Sequence, residues 1–329
     1  MKFRQFIPAL MLLLSLASCK EEETTKEYMD GRLNIKHDMP AYVTPGSKYT
    51  FSASGIVAPD GTEVGYCYQA PITKKIDTVA TYVYTVPDTL GTFGVSIIAF
   101  PKKSADKYYS STSTVYFTIV SEKSLQGIPV YAGVGHTTMH GRDYPTYRAG
   151  GHEWLATNLS YIERNGSGTE TFGHSYVGCA ALQNVLGSYY TWTEAQTVCP
   201  DGWHLPSDAE WVDLIKAAGG PESLEPMQDS PSGAGNLLFK CTFNGNDMWE
   251  YYRGVNVQNG THLCVIPAGY ANVSGGDYHF SGFMSYAAFW TSDHNGDQGI
   301  YRYIYQENDN VYAGLADKDS FAASVRCVR

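Results

Sequence analysis

The chain has 329 residues, enough for two domains with separate cores, and its 33 acidic against 23 basic residues give a formal net charge of -10. No cluster of Lys and Arg interrupts that acidity, which argues against a nucleic-acid partner held through its phosphates. With 26 Tyr and only 17% charged residues, the composition suits an extracellular, loop-rich β protein better than a helical cytoplasmic enzyme.

The chain begins with an address. Lys2 and Arg4 precede an apolar run over residues 6–16 that is too short for a stop-transfer helix. Leu16-Ala17-Ser18-Cys19 is similar to a bacterial lipobox. The resemblance implies that residues 1–18 are a lipoprotein signal peptide and that Cys19 carries the diacylglycerol; a plain secretory signal is the alternative. Lys20-Glu21-Glu22-Glu23 resembles the surface-export signal of Bacteroidetes lipoproteins. That implies a lipid anchor in the outer membrane with the protein facing the cell exterior. Residues 19–28 then form a polar, acidic tether.

Residues 29–121 carry short β runs separated by turns. Residues 49–52, 82–86, 95–100 and 114–120 read as strands, and Pro45-Gly46, Asp60-Gly61 and Pro87-Asp88 as turns between them. The pattern resembles an immunoglobulin-like or PKD-like β-sandwich, for which a stalk is the simplest role. A polar link, residues 122–126, leads to a second domain over residues 127–329.

Two helices organise that second domain. Thr191 and Glu194 have capping-box spacing, which predicts a helix from Trp192 to about Val198. Pro200-Asp201-Gly202 turns the chain, and Ser207 with Glu210 repeats the box. The second helix puts Trp211, Leu214, Ile215 and Ala218 on one stripe, and Gly219-Gly220-Pro221 stops it. Trp192, Trp203 and Trp211 are expected in the core. Residues 154–161, 237–242, 263–266, 287–291, 300–305, 311–315 and 323–328 read as strands, with Glu307-Asn308-Asp309-Asn310 turning a hairpin. Residues 165–178, 219–235 and 270–283 read as loops.

These motifs are similar to a known family. Trp192-Thr193-Glu194-Ala195, Cys199-Pro200, Gly202-Trp203-His204-Leu205-Pro206-Ser207 and Glu210-Trp211 resemble the signature of the Fibrobacter major paralogous (FISUMP) domain. Trp154 with Asn158-Leu159, Pro267-Ala268-Gly269-Tyr270, Phe289-Trp290-Thr291-Ser292 and Ser324-Val325-Arg326-Cys327-Val328 resemble its other motifs, in order. The signature is also similar to the opening of C-type lectin-like domains. The resemblance implies an α+β lectin-like fold after the sandwich, and a disulfide between Cys199 and Cys327. The pairing of Cys67, Cys179, Cys241 and Cys264 is left open.

No catalytic constellation is evident. His136 and His140 would share a helix face, but Gly133, Gly135 and Gly141 argue against a helix, so no metal site is expected. Lectins that hold sugar through calcium use E-P-N and W-N-D strings. Here Glu225-Pro226-Met227 and Trp290-Thr291-Ser292-Asp293 stand instead, so calcium-dependent sugar binding is not expected. Nor is a cofactor. The expected function is recognition or adhesion without catalysis, through loop aromatics Trp249, Tyr251, Tyr252, Tyr278 and Tyr286, toward a glycan or a surface protein. The alternatives are a structural or tip subunit of a fimbrial assembly, and an enzyme of the formylglycine-generating fold group.

Overall fold

The computed structural model describes residues 25–72, 76–127, 135–249 and 255–329. The signal peptide, Cys19, Tyr251 and Tyr252 lie outside the described residues. The described chain is β-rich, with open sheets and a few short helices. It falls into two compact units: residues within Met1–Lys36, Ser52–Tyr82 and Ser96–Thr114, and those within His37–Phe51, Val83–Val95 and Val115–Arg329.

In the first unit, Val64–Gln69 runs antiparallel to the end of Gly91–Pro101, with Val64 opposite Pro101 and Gln69 opposite Ser96. A small core gathers Met29, Ile56, Ala58, Ala99 and Tyr108. Glu27–Tyr28 lies parallel to Tyr108–Tyr109. Gly31 and Gly55 take φ of +89° and +97°, and a Cβ on either would overlap the other strand's backbone, so both places demand glycine.

The second unit opens with Tyr84, Phe93 and Phe117, whose rings pack together. Tyr42–Val43 pairs in parallel with Thr118 and Ile119. The expected link at residues 122–126 is integrated rather than free. Leu125–Gln126 pairs with Thr242–Phe243, Asn244 N donates to Ser124 O at 2.8 Å, and Asn184 Nδ2 donates to Glu122 Oε1 at 2.7 Å.

Among the described residues four α-helices punctuate the remainder: α1 (Ala180–Leu186), α2 (Trp192–Val198), α3 (Asp208–Ala217) and α4 (Ala234–Leu237). Both expected capping boxes form, on Thr191 with Glu194 and on Ser207 with Glu210. Tyr286–Asn295, Gln298–Tyr305 and Tyr312–Asp317 make an antiparallel meander. Tyr190–Thr191, Phe321–Ala323, Tyr270–Ser274 and Asp277–Ser281 make a second sheet, and Gly135–Met139, Arg142–Ala149 and His152–Leu155 a third. The C-terminal segment ties these together through bridges from Val328 to Trp154 and His204, and from Ser324 to Phe289. Around it lies the core, where Trp154 meets Trp211 at 5.2 Å.

Several expectations are corrected. Residues 234–237 are helical, because the Asp309 carboxylate accepts from Gly235 N at 2.7 Å and Gly233 N at 3.3 Å and fixes the turn; of the expected strands there, the bridge from Leu238 to Val265 and the end at Thr242 survive. Residues 165–178 are not all loop: Glu170–Phe172 pairs with Glu163–Arg164. Residues 270–283 form a hairpin turned at Gly275-Gly276, both at positive φ. Helix α1 was not anticipated. Trp211 is 1% exposed and Trp203 9%, but Trp192 is only half-buried, its indole Nε1 donating to Thr291 O at 3.0 Å.

Candidate functional site

The motif residues are occupied in holding the domain together. Cys199 and Cys327 form a disulfide with a Cα separation of 5.8 Å, linking the end of α2 to the C-terminal segment. Arg326 is fully buried; its Nε donates to Asn158 Oδ1 at 2.7 Å and its Nη1 to Leu155 O at 3.0 Å. Arg302 and Asp208 form a second buried arrangement, with Arg302 Nη2 donating to Asp208 Oδ2 at 2.7 Å. Asp208 also accepts from Met227 N at 2.6 Å, and Arg302 Nη1 donates to Gln228 O at 2.7 Å. A loop with almost no apolar content of its own is thus held by charge. Arg302 is closed off from ligands at 0% exposure, and Arg326 stands at the wall of a cavity of about 320 Å³ shared with Asn158, Arg142 and Ile266.

What the meander does present is tyrosine. Along Gln298–Tyr305 the pleat sends Ile300, Arg302 and Ile304 inward and Tyr301, Tyr303 and Tyr305 to the other face, where they are half-buried. Tyr303 stacks on Tyr286 at 5.1 Å and on Tyr312 at 4.9 Å, with interplanar angles of 14° and 16°. Tyr270 meets Tyr286 edge-on at 5.2 Å and stacks on Phe321 at 5.2 Å; Tyr301 lies 5.0 Å from Phe321. These rings line an open recess of about 750 Å³ that also takes in Asn272, Ser285 and Glu307.

The geometry decides what this surface offers. Both faces of Tyr303 are covered by neighbouring rings, and the Tyr286 and Tyr301 hydroxyls hydrogen-bond each other, so the recess is lined by ring edges and by hydroxyls already held in place. Burial pushes the Tyr286, Tyr301 and Tyr303 phenols above their ordinary value, which keeps them as neutral donors. The Tyr312 hydroxyl is fixed by Asn308 Nδ2 at 2.7 Å and Asn310 Nδ2 at 3.1 Å. The surface is rigid, amphipathic and rich in hydroxyls. It can hydrogen-bond a polyhydroxylated or peptide partner while covering its apolar edges.

The expected binding residues fare unequally. Tyr286 lies in this recess. Tyr278 does not: it stacks on His174 at 3.6 Å in a neighbouring recess with Glu170 and Arg164, on the other side of the Tyr270–Ser281 hairpin. Burial lowers the pKa of that histidine. Trp249 is corrected outright. It is 5% exposed and packed in the main core with Trp154 and Leu237, so it is closed to any ligand. Tyr301, Tyr303, Tyr305 and Tyr312 lie in the expected strands 300–305 and 311–315, where the alternation Ile300-Tyr301-Arg302-Tyr303-Ile304-Tyr305 carries the signal of one apolar and one aromatic face.

The histidines weighed for a metal are placed otherwise. His136 Nδ1 lies 2.9 Å from Asp143 Oδ2, and His140 Nε2 lies 2.8 Å from Val198 O. Among the described residues no group of three or more His, Cys, Asp or Glu side chains is arranged to hold an ion. Among the described residues Cys67 and Cys241 are buried thiols and Cys179 a partly buried one, while Cys264 Sγ donates to His262 O at 3.3 Å.

A disulfide-linked, β-rich domain organised by two capped helices and a buried C-terminal segment is the class of protein these features define. The family follows from comparison: residues 148–329 match the Fibrobacter succinogenes major domain, and the chain belongs to that family. A search of curated proteins finds no match to the chain.

Proposed function

We propose that the protein is a cell-surface recognition module that binds glycan, or a glycan-bearing surface protein, through the tyrosine face of its C-terminal domain, without catalysis and without calcium. The observation behind it is the outward row of Tyr286, Tyr301, Tyr303 and Tyr312 on the meander. Ile300 and Ile304 fill the inner face of the strand, while Tyr286, Tyr301 and Tyr303 pack against the Trp290 and Phe321 cluster with one side and leave the other open to the recess. Its hydroxyls and edges match the mixed polar and apolar surface of a sugar.

The reading includes an address and an architecture. Cys19 is the lipid anchor, the acidic run after it directs the protein to the outer face of the outer membrane, and an immunoglobulin-like or PKD-like sandwich lifts a lectin-like domain away from the lipid. The lectin-like assignment is supported by the disulfide from α2 to the C-terminal segment and by the α2–turn–α3 arrangement. A single such face binds weakly, and many copies on one cell give useful retention.

The test is binding of the soluble chain to glycans and mucins, with and without a calcium chelator. Paired substitutions Tyr286→Ala and Tyr303→Ala should weaken binding by about tenfold or more, the loss of a hot-spot contact. Unchanged binding by a folded double variant, or binding abolished by the chelator, would overturn the reading.

A further inference from the structure

The first unit exposes an aromatic pair at the place where the described chain begins. Tyr28 is 79% and Tyr109 43% exposed, and their rings lie 5.0 Å apart on the parallel pairing of Glu27–Tyr28 with Tyr108–Tyr109. Lys26 Nζ stands 6.0 Å from the Tyr109 ring, and Lys107 lies over the Tyr108 ring at 5.0 Å. Val57 is 59% exposed and follows directly on Ile56, which packs with Met29 and Tyr108 in the small core of the unit. The same strand pairing thus presents two tyrosines, flanked by lysines. The core gains nothing from exposing them: Tyr108, between Lys107 and Tyr109, is already buried at 1% exposure.

We propose that this end of the first unit docks on the lipid headgroup region, with Tyr28 and Tyr109 as interfacial anchors. The proposal rests on the lipid-anchor reading of Cys19. Its physical basis is chain length. From Cys19 to Tyr28 the sequence advances nine positions, and even a fully extended chain covers only about 30 Å over such a stretch. A diacylated Cys19 therefore keeps Tyr28 within that distance of the membrane surface whatever path the tether takes. Tyrosine suits the boundary, because its ring is apolar and its hydroxyl stays with the headgroups; Lys26 beside it can reach lipid phosphates, while Lys107 is held by Asp60 Oδ2 at 2.9 Å. With the anchor already holding the protein at the surface, even a weak interfacial contact is populated, since its effective concentration is high. The tyrosine contact adds a second attachment point to the anchor and so favours one orientation of the first unit at the surface.

The experiment uses the full chain, purified after expression with its signal peptide and reconstituted into vesicles of phosphatidylethanolamine and phosphatidylglycerol. Surface tyrosines are iodinated by a soluble peroxidase, which does not enter lipid, and mapped by mass spectrometry. Tyr116, 72% exposed, serves as the reference. Iodination of Tyr28 and Tyr109 is expected to fall severalfold relative to Tyr116 on vesicles, compared with the Cys19→Ala chain free in solution. Equal iodination with Cys19 lipidated overturns the docking and leaves the anchor reading intact. The mass of the N-terminal peptide judges the anchor separately. If it carries no diacylglycerol the anchor reading fails, and the non-lipidated chain mixed with vesicles then decides the docking: protection keeps it, none ends it. A second variant pair, Lys26→Gln with Tyr109→Ser, should restore iodination of Tyr28 on vesicles, and protection unchanged in that pair also overturns the proposal.

Discussion

Arg302 and Asp208 make the most demanding polar arrangement in the second unit, because both side chains are essentially removed from water, at 0% and 2% exposure. Burying two ions is costly, and the attraction between them compensates only when every remaining donor and acceptor is satisfied. Here the Met227 amide and the Gln228 carbonyl complete the set. Removing one partner strands the other: Arg302→Ala should cost about 3–5 kcal/mol in denaturant unfolding. The double replacement Arg302→Met with Asp208→Leu should cost less than the single one, and the reverse order would show that the charges themselves are stabilising. Nothing in the sequence announced this pair, since residues 94 positions apart share no local pattern. The tyrosine alternation just beside it was visible in principle. Alternation alone does not mark it as a surface, because Tyr in a strand fits a core as well as an exposed face.

Glu210 acts at the same scale but through an element. Burial by itself would raise its carboxyl pKa; hydrogen bonds from the Ser207 amide, the His204 ring and the Ser207 hydroxyl outweigh burial and hold it below the ordinary 4.5. A carboxyl whose folded pKa is depressed contributes stability above its unfolded value and loses that contribution as pH falls through the folded value. The stability gap between the native chain and Glu210→Gln should therefore be full above pH 4.5 and close as pH drops below it. A gap that stays constant through acid titration would assign the effect of the substitution to packing instead. Helices α2 and α3 were legible because their signals are local, a hydroxyl and a carboxylate three residues apart. Thr191→Ala should destabilise by about 1 kcal/mol, as loss of an N-cap does, read by thermal unfolding. Helix α1 lacks any side-chain cap at Cys179, and α4 is set by Asp309, remote in sequence. Their starts are tertiary facts, and no window of sequence contains them.

At the scale of the whole molecule, the ordered motifs from Trp154 to Val328 were the most legible feature, and the structure explains why they are tied to one another. Asn158 from the first motif and Arg326 from the last hydrogen-bond each other in the core, and Trp154 bridges to Val328. The disulfide closes this same circuit, joining Cys199 to Cys327 across a sequence separation of 128. Cross-linking so long a loop removes conformational freedom from the unfolded chain and should stabilise by ~5 kcal/mol on the chain-entropy account. Among the described residues Cys67, Cys179 and Cys241 are thiols, so peptide mapping without reductant should return the Cys199–Cys327 pair and leave those three unbridged. Reduction, or Cys199→Ala with Cys327→Ala, should lower the unfolding midpoint of the second unit by several degrees, because Cys327 sits in the core with Trp290 and Val325. Among its described residues the first unit holds one cysteine, Cys67, a buried thiol, and it should unfold at the same temperature before and after reduction. Unfolding that shifts equally in both units would mean that they do not melt independently, and that the bridge stabilises the chain as one cooperative body.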